Sequence, residues 1–116
     1  MAGKRDRVAR PHSATGWIVR FHSKDAADGW EELCRQLANA TATAYDHISQ
    51  DPRSLARPDR QHRLKWDLAT RSIEGRALEQ WQYEVSGAAR VWYVIDDERK
   101  AIWIMAAMVG HPKRTE

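Results

Sequence analysis

Hydrophobic and polar residues alternate most clearly in the C-terminal third of the chain. An alternation with a period of two is typical of β-strands that bury one face. Short polar turns separate the alternating segments, and Gly110 and Pro112 follow the last of them. The predicted strands span residues 78–85, 90–95 and 101–107. The pattern therefore predicts a three-stranded antiparallel meander.

The N-terminal half has a different spacing. Residues 17–21 form one aromatic and β-branched run, which favours a strand, and Ser23 can cap a helix that begins at Lys24. Apolar residues then recur every three or four positions, as in an amphipathic helix. They are Ala27, Trp30, Leu33, Cys34 and Leu37. A second helix is predicted from a cap at Asn39 to a point before Pro52, because the residue before proline resists helical backbone angles. Its predicted inward-facing residues are Ala42, Tyr45 and Ile48.

Together these elements predict an α+β domain of order β-α-α-β-β-β, with a small antiparallel sheet packed on an N-terminal helical hairpin. Residues 52–61, which include two prolines, are predicted to be a loop, and residues 62–68 after it can be extended. A short extra strand is allowed near Arg71. A length of 116 residues fits one domain, which we place at 16–116. Residues 1–15 contain four basic residues, one acidic residue and little apolar surface, so we expect a disordered basic arm.

Composition excludes several classes of protein. Cys34 is the single cysteine, so an intrachain disulfide and a cysteine-rich metal site are excluded. No apolar run approaches the roughly 18 residues of a membrane-spanning helix, and the charged N-terminus lacks the hydrophobic region of an export signal. The sequence has no glycine-rich phosphate loop and no histidine spacing typical of a metal site. We therefore expect a cytoplasmic protein without a metal or other cofactor.

Charge is distributed unevenly along the chain. Residues 24–51 contain two basic and six acidic residues, whereas residues 53–76 contain seven basic and three acidic ones. The whole chain has a formal charge of +3 and a pI near 9.3. If a polyanion such as nucleic acid binds, we expect it to avoid the helical hairpin and to approach the basic segment.

Three short motifs occur in a fixed order on the predicted elements. They are Arg63-Leu64-Lys65, then Arg90-Val91-Trp92-Tyr93 at the start of a strand, and Gly110-His111 after the last strand. In this order and spacing, residues 17–114 resemble the RelE/ParE superfamily, the toxins of bacterial toxin-antitoxin pairs. The resemblance implies a cognate antitoxin as partner. It also implies one of two activities, because one branch cleaves mRNA without a metal, usually on the ribosome, and another inhibits DNA gyrase by binding it.

The resemblance also implies catalytic roles if the chain is an endoribonuclease. Arg90 stands where the family places an arginine against the scissile phosphate, and a guanidinium can hold two phosphate oxygens at once. His111 lies near the position of a C-terminal histidine that acts as general acid in some relatives. His62 lies where some relatives have a glutamate as general base, and Glu84 is the competing base. The family's lysines before the arginine are replaced by Gln82 and Glu84, and its tyrosine after the last strand is missing.

Further residues are predicted to contact RNA. The predicted contacts are Arg63, Lys65, Tyr93, Lys113 and Arg114. The basic residues among them would bind flanking phosphates through charge rather than sequence. Aromatic residues of the strands, namely Trp81, Tyr83, Trp92 and Trp103, would stack on bases only if they are exposed. The alternatives to a nuclease are a gyrase inhibitor that works through the helical hairpin and an RNA-binding module without turnover.

Overall fold

The computed structural model of the protein describes residues 16–110. The predicted basic arm at residues 1–15 lies outside this range. So does the C-terminal tail, with the predicted site residues His111, Lys113 and Arg114. No helix in the described part of the chain is long and apolar enough to cross a membrane.

The N-terminal half forms one strand and two helices. Strand β1 spans Ile18–Phe21, helix α1 spans Lys24–Gln36 and helix α2 spans Ala38–Gln50. The predicted cap of α1 is confirmed, because the Ser23 hydroxyl accepts a hydrogen bond of 3.1 Å from the Ala26 amide. The predicted cap of α2 is wrong. The helix starts after Leu37, without a side-chain cap, and Asn39 lies inside its first turn.

The inward face of α2 also differs from the prediction. The buried apolar residues are Ala44 and Ile48, whereas Ala42 is exposed and Tyr45 is 43% exposed. Helical geometry explains the difference, because Thr41, which is also buried, Ala44 and Ile48 are spaced by three and four residues and stay on one face. The predicted set is spaced by three and three, so it rotates away from the core.

The rest of the chain forms five strands and a short 3₁₀ turn. These are β2 at Gln61–Arg63, the 3₁₀ turn at Trp66–Leu68, β3 at Thr70–Ile73, β4 at Arg76–Glu84, β5 at Arg90–Asp96 and β6 at Ala101–Met108. The predicted meander is confirmed as β4, β5 and β6, and the extra strand near Arg71 is present as β3. Strand β2 includes the start of the segment 62–68 that is predicted to be extended, whereas the end of that segment forms the 3₁₀ turn.

The sheet has the order β1-β6-β5-β4-β2, with β3 pairing along the other half of β4. The α+β class is confirmed, but the sheet is mixed rather than purely antiparallel, because β1 runs parallel to β6. The first strand of the domain is thus paired with its last. The backbone ladder aligns Ile18 with Ala101 and Phe21 with Ile104.

The main core lies between the helices and one face of the sheet. Leu33 and Ile48 from the helices pack with Tyr83, Tyr93 and other buried strand residues. Helix α1 passes so close to β6 that a β-carbon at position 29, which is glycine, would overlap the backbone carbonyl oxygen of Ala107.

The opposite face of the sheet has a smaller cluster built on Ile73, Val94 and Met105. Trp92 packs at the border of this cluster. Because side chains alternate along a strand, Arg90 lies on the same face as Trp92. This face, which is not covered by the helices, holds the candidate site.

Candidate active site

A cleft of about 340 Å³ opens where β2 and the segment after it meet β4 and β5. It is lined by His62, Arg63, Leu64, Lys65, Trp66, Leu68, Gln82 and Arg90. We call it the basic cleft, because three of these residues are cationic and none has a carboxylate. Four of the predicted site residues (His62, Arg63, Lys65 and Arg90) therefore come together in it, although they are separated by up to 28 positions in sequence.

The strand registers explain this convergence. His62 on β2 is opposite Gln82 on β4, and Gln82 is opposite Trp92 on β5. The next pair of β4 and β5 on the same face of the sheet is Glu84 with Arg90. Residues opposite each other in antiparallel strands have β-carbons about 5 Å apart, so His62 and Arg90 lie on diagonal positions across β4. The Trp92 indole also donates a hydrogen bond of 2.8 Å to the Gln82 side chain. This bond links the two residues that lie between His62 and Arg90.

The Arg90 side chain is largely buried, and hydrogen bonds fix its position. It is 9% exposed, and its guanidinium donates hydrogen bonds to the backbone carbonyls of Ser86 at 3.0 Å and Ala89 at 3.3 Å. The Glu84 carboxylate lies 3.6 Å from the same guanidinium nitrogen. A largely desolvated, positioned guanidinium interacts more strongly with an added anion than a mobile one in water does.

His62 has a defined orientation at the edge of the cleft. Its Nδ1 lies 3.2 Å from the backbone carbonyl oxygen of Arg63. Since a carbonyl oxygen can only accept, this contact assigns the proton of the neutral ring to Nδ1. The lone pair of neutral His62 is then on Nε2, which is the nitrogen able to accept a proton from a substrate.

The other cations of the cleft are more exposed. The Lys65 ammonium lies 5.9 Å from the ring centre of Trp66, and Arg63 donates a long hydrogen bond of 3.5 Å to the Ala69 carbonyl. Both side chains are exposed, so they suit phosphates that stay partly in water. Glu84 is near the site through Arg90 but does not line the cleft.

The structure argues against the RNA contact predicted for Tyr93. Its side chain is fully buried, donates a hydrogen bond of 2.7 Å to the Pro52 carbonyl, and accepts one of 3.0 Å from Gln61. Burial raises the pKa of Tyr93 above its ordinary value, in keeping with this structural role. The period of two along β5 puts Tyr93 on the helix side, one residue out of phase with the cleft.

The other predicted stacking residues are also largely core residues. Trp81 and Tyr83 are buried beneath the helices, and the partly buried Trp103 donates its indole hydrogen to Asp96. The aromatic residue that does line the basic cleft is Trp66, which is 87% exposed and was not among the predicted stacking residues. The one feature of the sequence that indicates its exposure is its position in a basic stretch without helix or strand periodicity. An aromatic residue in such a stretch has no neighbouring apolar residues to pack with.

The fold is that of the RelE-type toxins of toxin-antitoxin systems. The archaeal RelE in the RelE-RelB complex from Pyrococcus horikoshii OT3 superposes with a TM-score of 0.55 at 17% identity, over 80% of this chain and 93% of that one. The RelBE2 toxin-antitoxin complex from Mycobacterium tuberculosis superposes with a TM-score of 0.54 at 23% identity, over 84% of this chain and 99% of that one. The YoeB dimer from Staphylococcus aureus superposes with a TM-score of 0.55 at 12% identity, over 82% of this chain and 98% of that one.

At these identities the likeness establishes the fold. No protein-family model matches the sequence, and no curated protein matches it. The fold expected from the resemblance in sequence is therefore confirmed.

Proposed function

We propose that the protein is the toxin of a toxin-antitoxin pair and acts as a metal-independent endoribonuclease that cleaves mRNA and so blocks translation. The observation that supports this most is the composition of the basic cleft. It combines an oriented histidine, a fixed arginine and two exposed cations on one open sheet face, with no carboxylate in its lining. Such a set can bind an RNA backbone and move a proton on it.

The chemistry follows from the roles that these groups can take. Nε2 of His62 accepts the proton of a ribose 2′-hydroxyl, and the 2′-oxygen then attacks the adjacent phosphorus. Arg90 binds two non-bridging phosphate oxygens and stabilises the extra negative charge of the transition state. The bond from phosphorus to the 5′-oxygen breaks, and His111 donates the proton that the leaving oxygen needs. The products are a 2′,3′-cyclic phosphate and a 5′-hydroxyl end.

Glu84 has a different role in this proposal. Its carboxylate lies against Arg90 and outside the cleft lining, so it tunes and orients the guanidinium while His62 serves as base. Arg63 and Lys65 bind phosphates on either side of the scissile one, and Lys113 and Arg114 extend this contact. All four act through charge and counterion release, so they add affinity with little sequence preference.

A cognate antitoxin is the partner that this proposal requires. Two of the structures that share the fold are toxin-antitoxin complexes, namely RelBE2 from Mycobacterium tuberculosis and YoeB-YefM from Staphylococcus aureus. By charge complementarity, the antitoxin of this protein presents an acidic or amphipathic segment to the basic cleft. The setting of both partners is the cytoplasm, where mRNA and ribosomes are found.

The test is cleavage of mRNA by the purified protein, with and without ribosomes and in the presence of EDTA. The variants are Arg90→Ala and His111→Ala, and the matched control is Arg71→Ala on β3, which is exposed and does not line the cleft. We expect cleavage by the wild type and by Arg71→Ala, and a strong loss in the other two. If the wild type leaves mRNA intact under every condition, the nuclease proposal is wrong, and a DNA supercoiling assay then tests the gyrase alternative.

A further inference from the structure

Trp66 is the most exposed large hydrophobic residue in the described part of the chain. Its side chain is 87% exposed, against 84% for Leu55 and at most 43% for the other large exposed hydrophobic residues. Leaving an indole in water has a free-energy cost that burial elsewhere would avoid. Leu55 lies in a loop away from the cleft, whereas Trp66 lines the cleft itself.

The segment that presents Trp66 is anchored to the sheet. Trp66 has a left-handed backbone with φ of 53°, an uncommon conformation for a bulky residue. The 3₁₀ turn that it starts is closed by hydrogen bonds of 3.0 Å from Leu68 to the Lys65 carbonyl and from Ala69 to the Trp66 carbonyl. The ring is therefore displayed from a defined backbone geometry.

A single buried residue of β4 fixes this turn. Gln80 is fully buried. Its backbone N–H donates a hydrogen bond of 2.8 Å to the Ala69 carbonyl, and its side-chain amide donates one of 2.8 Å to the Leu68 carbonyl. The Gln80 carbonyl accepts from the Leu64 amide at 2.9 Å. Both ends of the segment that presents Trp66 are thus held by one strand residue.

The basic cleft has two chemically different sides. His62, Lys65 and Arg90 provide positive or proton-accepting groups, whereas Leu64, Leu68 and Trp66 provide an apolar wall. A nucleotide has the same division, with a charged phosphate joined to a flat, weakly polar base. An exposed indole offers a stacking face for any base, and the Lys65 ammonium beside it suits the phosphate of the same nucleotide.

We infer that Trp66 is the stacking platform for a base next to the scissile phosphate and that it positions the RNA for cleavage. The inference rests on the proposed function, because it assigns a contact within the same cleft. The expected contribution is a stack on one base, so removal of the ring weakens RNA binding roughly 5- to 150-fold. The arrangement favours RNA over a protein ligand, because the residues that flank Trp66 in the cleft are cationic as well as apolar.

The experiment compares wild type, Trp66→Ala, Trp66→Phe and Leu55→Ala. Leu55→Ala is the matched control, since it also removes an exposed hydrophobic side chain but one that does not line the cleft. Binding is measured by fluorescence anisotropy with a labelled single-stranded RNA octamer. The same octamer with one abasic nucleotide, moved through each position, forms the second arm. Cleavage of ribosome-bound mRNA by each variant is measured in parallel.

We expect Trp66→Ala to weaken binding and cleavage, Trp66→Phe to restore most of both, and Leu55→Ala to match the wild type. At one abasic position, wild type and Trp66→Ala should bind equally, because the stacking partner is gone. Equal binding of the intact octamer by wild type and Trp66→Ala overturns the inference while leaving the nuclease proposal standing. No RNA binding or cleavage by the wild type overturns both proposals together.

Discussion

Glu84 and Arg90 are direct partners across β4 and β5, with 3.6 Å between the carboxylate and the guanidinium at the rim of the basic cleft. The carboxylate offsets part of the positive charge that would otherwise be offered to a phosphate. Glu84 can have one of two roles here, general base or ion-pair partner of the arginine. A substitution that removes its charge distinguishes them.

Replacement of Glu84 by glutamine should preserve cleavage and strengthen RNA binding. The substitution removes one negative charge beside Arg90, and a partly exposed ion pair of this kind is worth up to about 1 kcal/mol, or about fivefold in affinity. The measurements are mRNA cleavage and the Kd for single-stranded RNA, with Glu74→Gln, at the turn between β3 and β4, as control. A hundredfold loss of cleavage in Glu84→Gln would identify Glu84 as the base.

Replacement of His62 by alanine should lower kcat by roughly 10²- to 10⁴-fold, the usual contribution of a general base. His22→Ala is the control, since His22 is an exposed histidine that does not line the cleft. Equal kcat values for His62→Ala and wild type would contradict the assigned role.

Replacement of Arg90 by lysine tests whether the fork of the guanidinium matters beyond its charge. Lysine keeps the positive charge but cannot bind two phosphate oxygens in one plane, so we expect a loss in kcat of about 10²-fold. Arg71→Lys should be neutral. Equal activity of Arg90→Lys and wild type would show that a point charge is enough at this position.

Replacement of Lys65 by glutamine should change the salt dependence of RNA binding. A residue that neutralises one phosphate of a single strand contributes about 0.7 to the slope of log K against log salt concentration. We expect the slope to fall by this amount, with no change for Lys24→Gln on the acidic helix α1, where Lys24 pairs with Asp28. Identical slopes in Lys65→Gln and wild type would exclude a phosphate contact by Lys65.

Asp96 is the residue for which we predict the largest effect on stability. It is fully buried, accepts hydrogen bonds of 2.9 and 2.8 Å from the Arg76 guanidinium, and accepts one of 3.3 Å from the Trp103 indole. Asp96→Ala leaves these donors without their acceptor, so we expect a loss of about 3 kcal/mol in the free energy of unfolding. Asp59→Ala in the exposed loop is the control.

The same pair gives the stability a pH dependence. The Arg76 guanidinium holds the pKa of Asp96 well below its ordinary value in the folded state. The unfolded chain therefore binds a proton first as the pH falls, and the stabilisation present above pH ~4 is lost progressively below it. Denaturant melts of wild type between pH 5 and 2 should show this decline, and Asp96→Asn should show less of it. Parallel curves for the two proteins would contradict the assignment.

Local patterns in the sequence were sufficient for the helical hairpin and the meander. The Ser23 cap and the alternation along β4 and β5 depend on neighbouring residues, which a sequence displays directly. The parallel pairing of β1 with β6 joins residues more than 80 positions apart. The residues of neither strand indicate which other strand it pairs with. The resemblance in sequence supplied Arg90 and His62, which the strand registers then bring into one cleft.

The miss at Trp66 has a different cause. A tryptophan in a small domain usually joins the core, and the sequence cannot show that Gln80 holds the segment around Trp66 at the surface. The error at Tyr93 is similar, because its exposure depends on which face of β5 the helices cover. Both cases turn on tertiary contacts rather than on the residue type.

The pairing of β1 with β6 has a consequence for how the protein is made. In the described part of the chain, β1 is made first, and its neighbour in the sheet, β6, is the last of the six strands to be made. Arg90 is likewise opposite Met108, so the strand that supports the proposed catalytic arginine is made after the arginine itself. The sheet that presents the proposed catalytic arginine can therefore be completed only after β6 has been made.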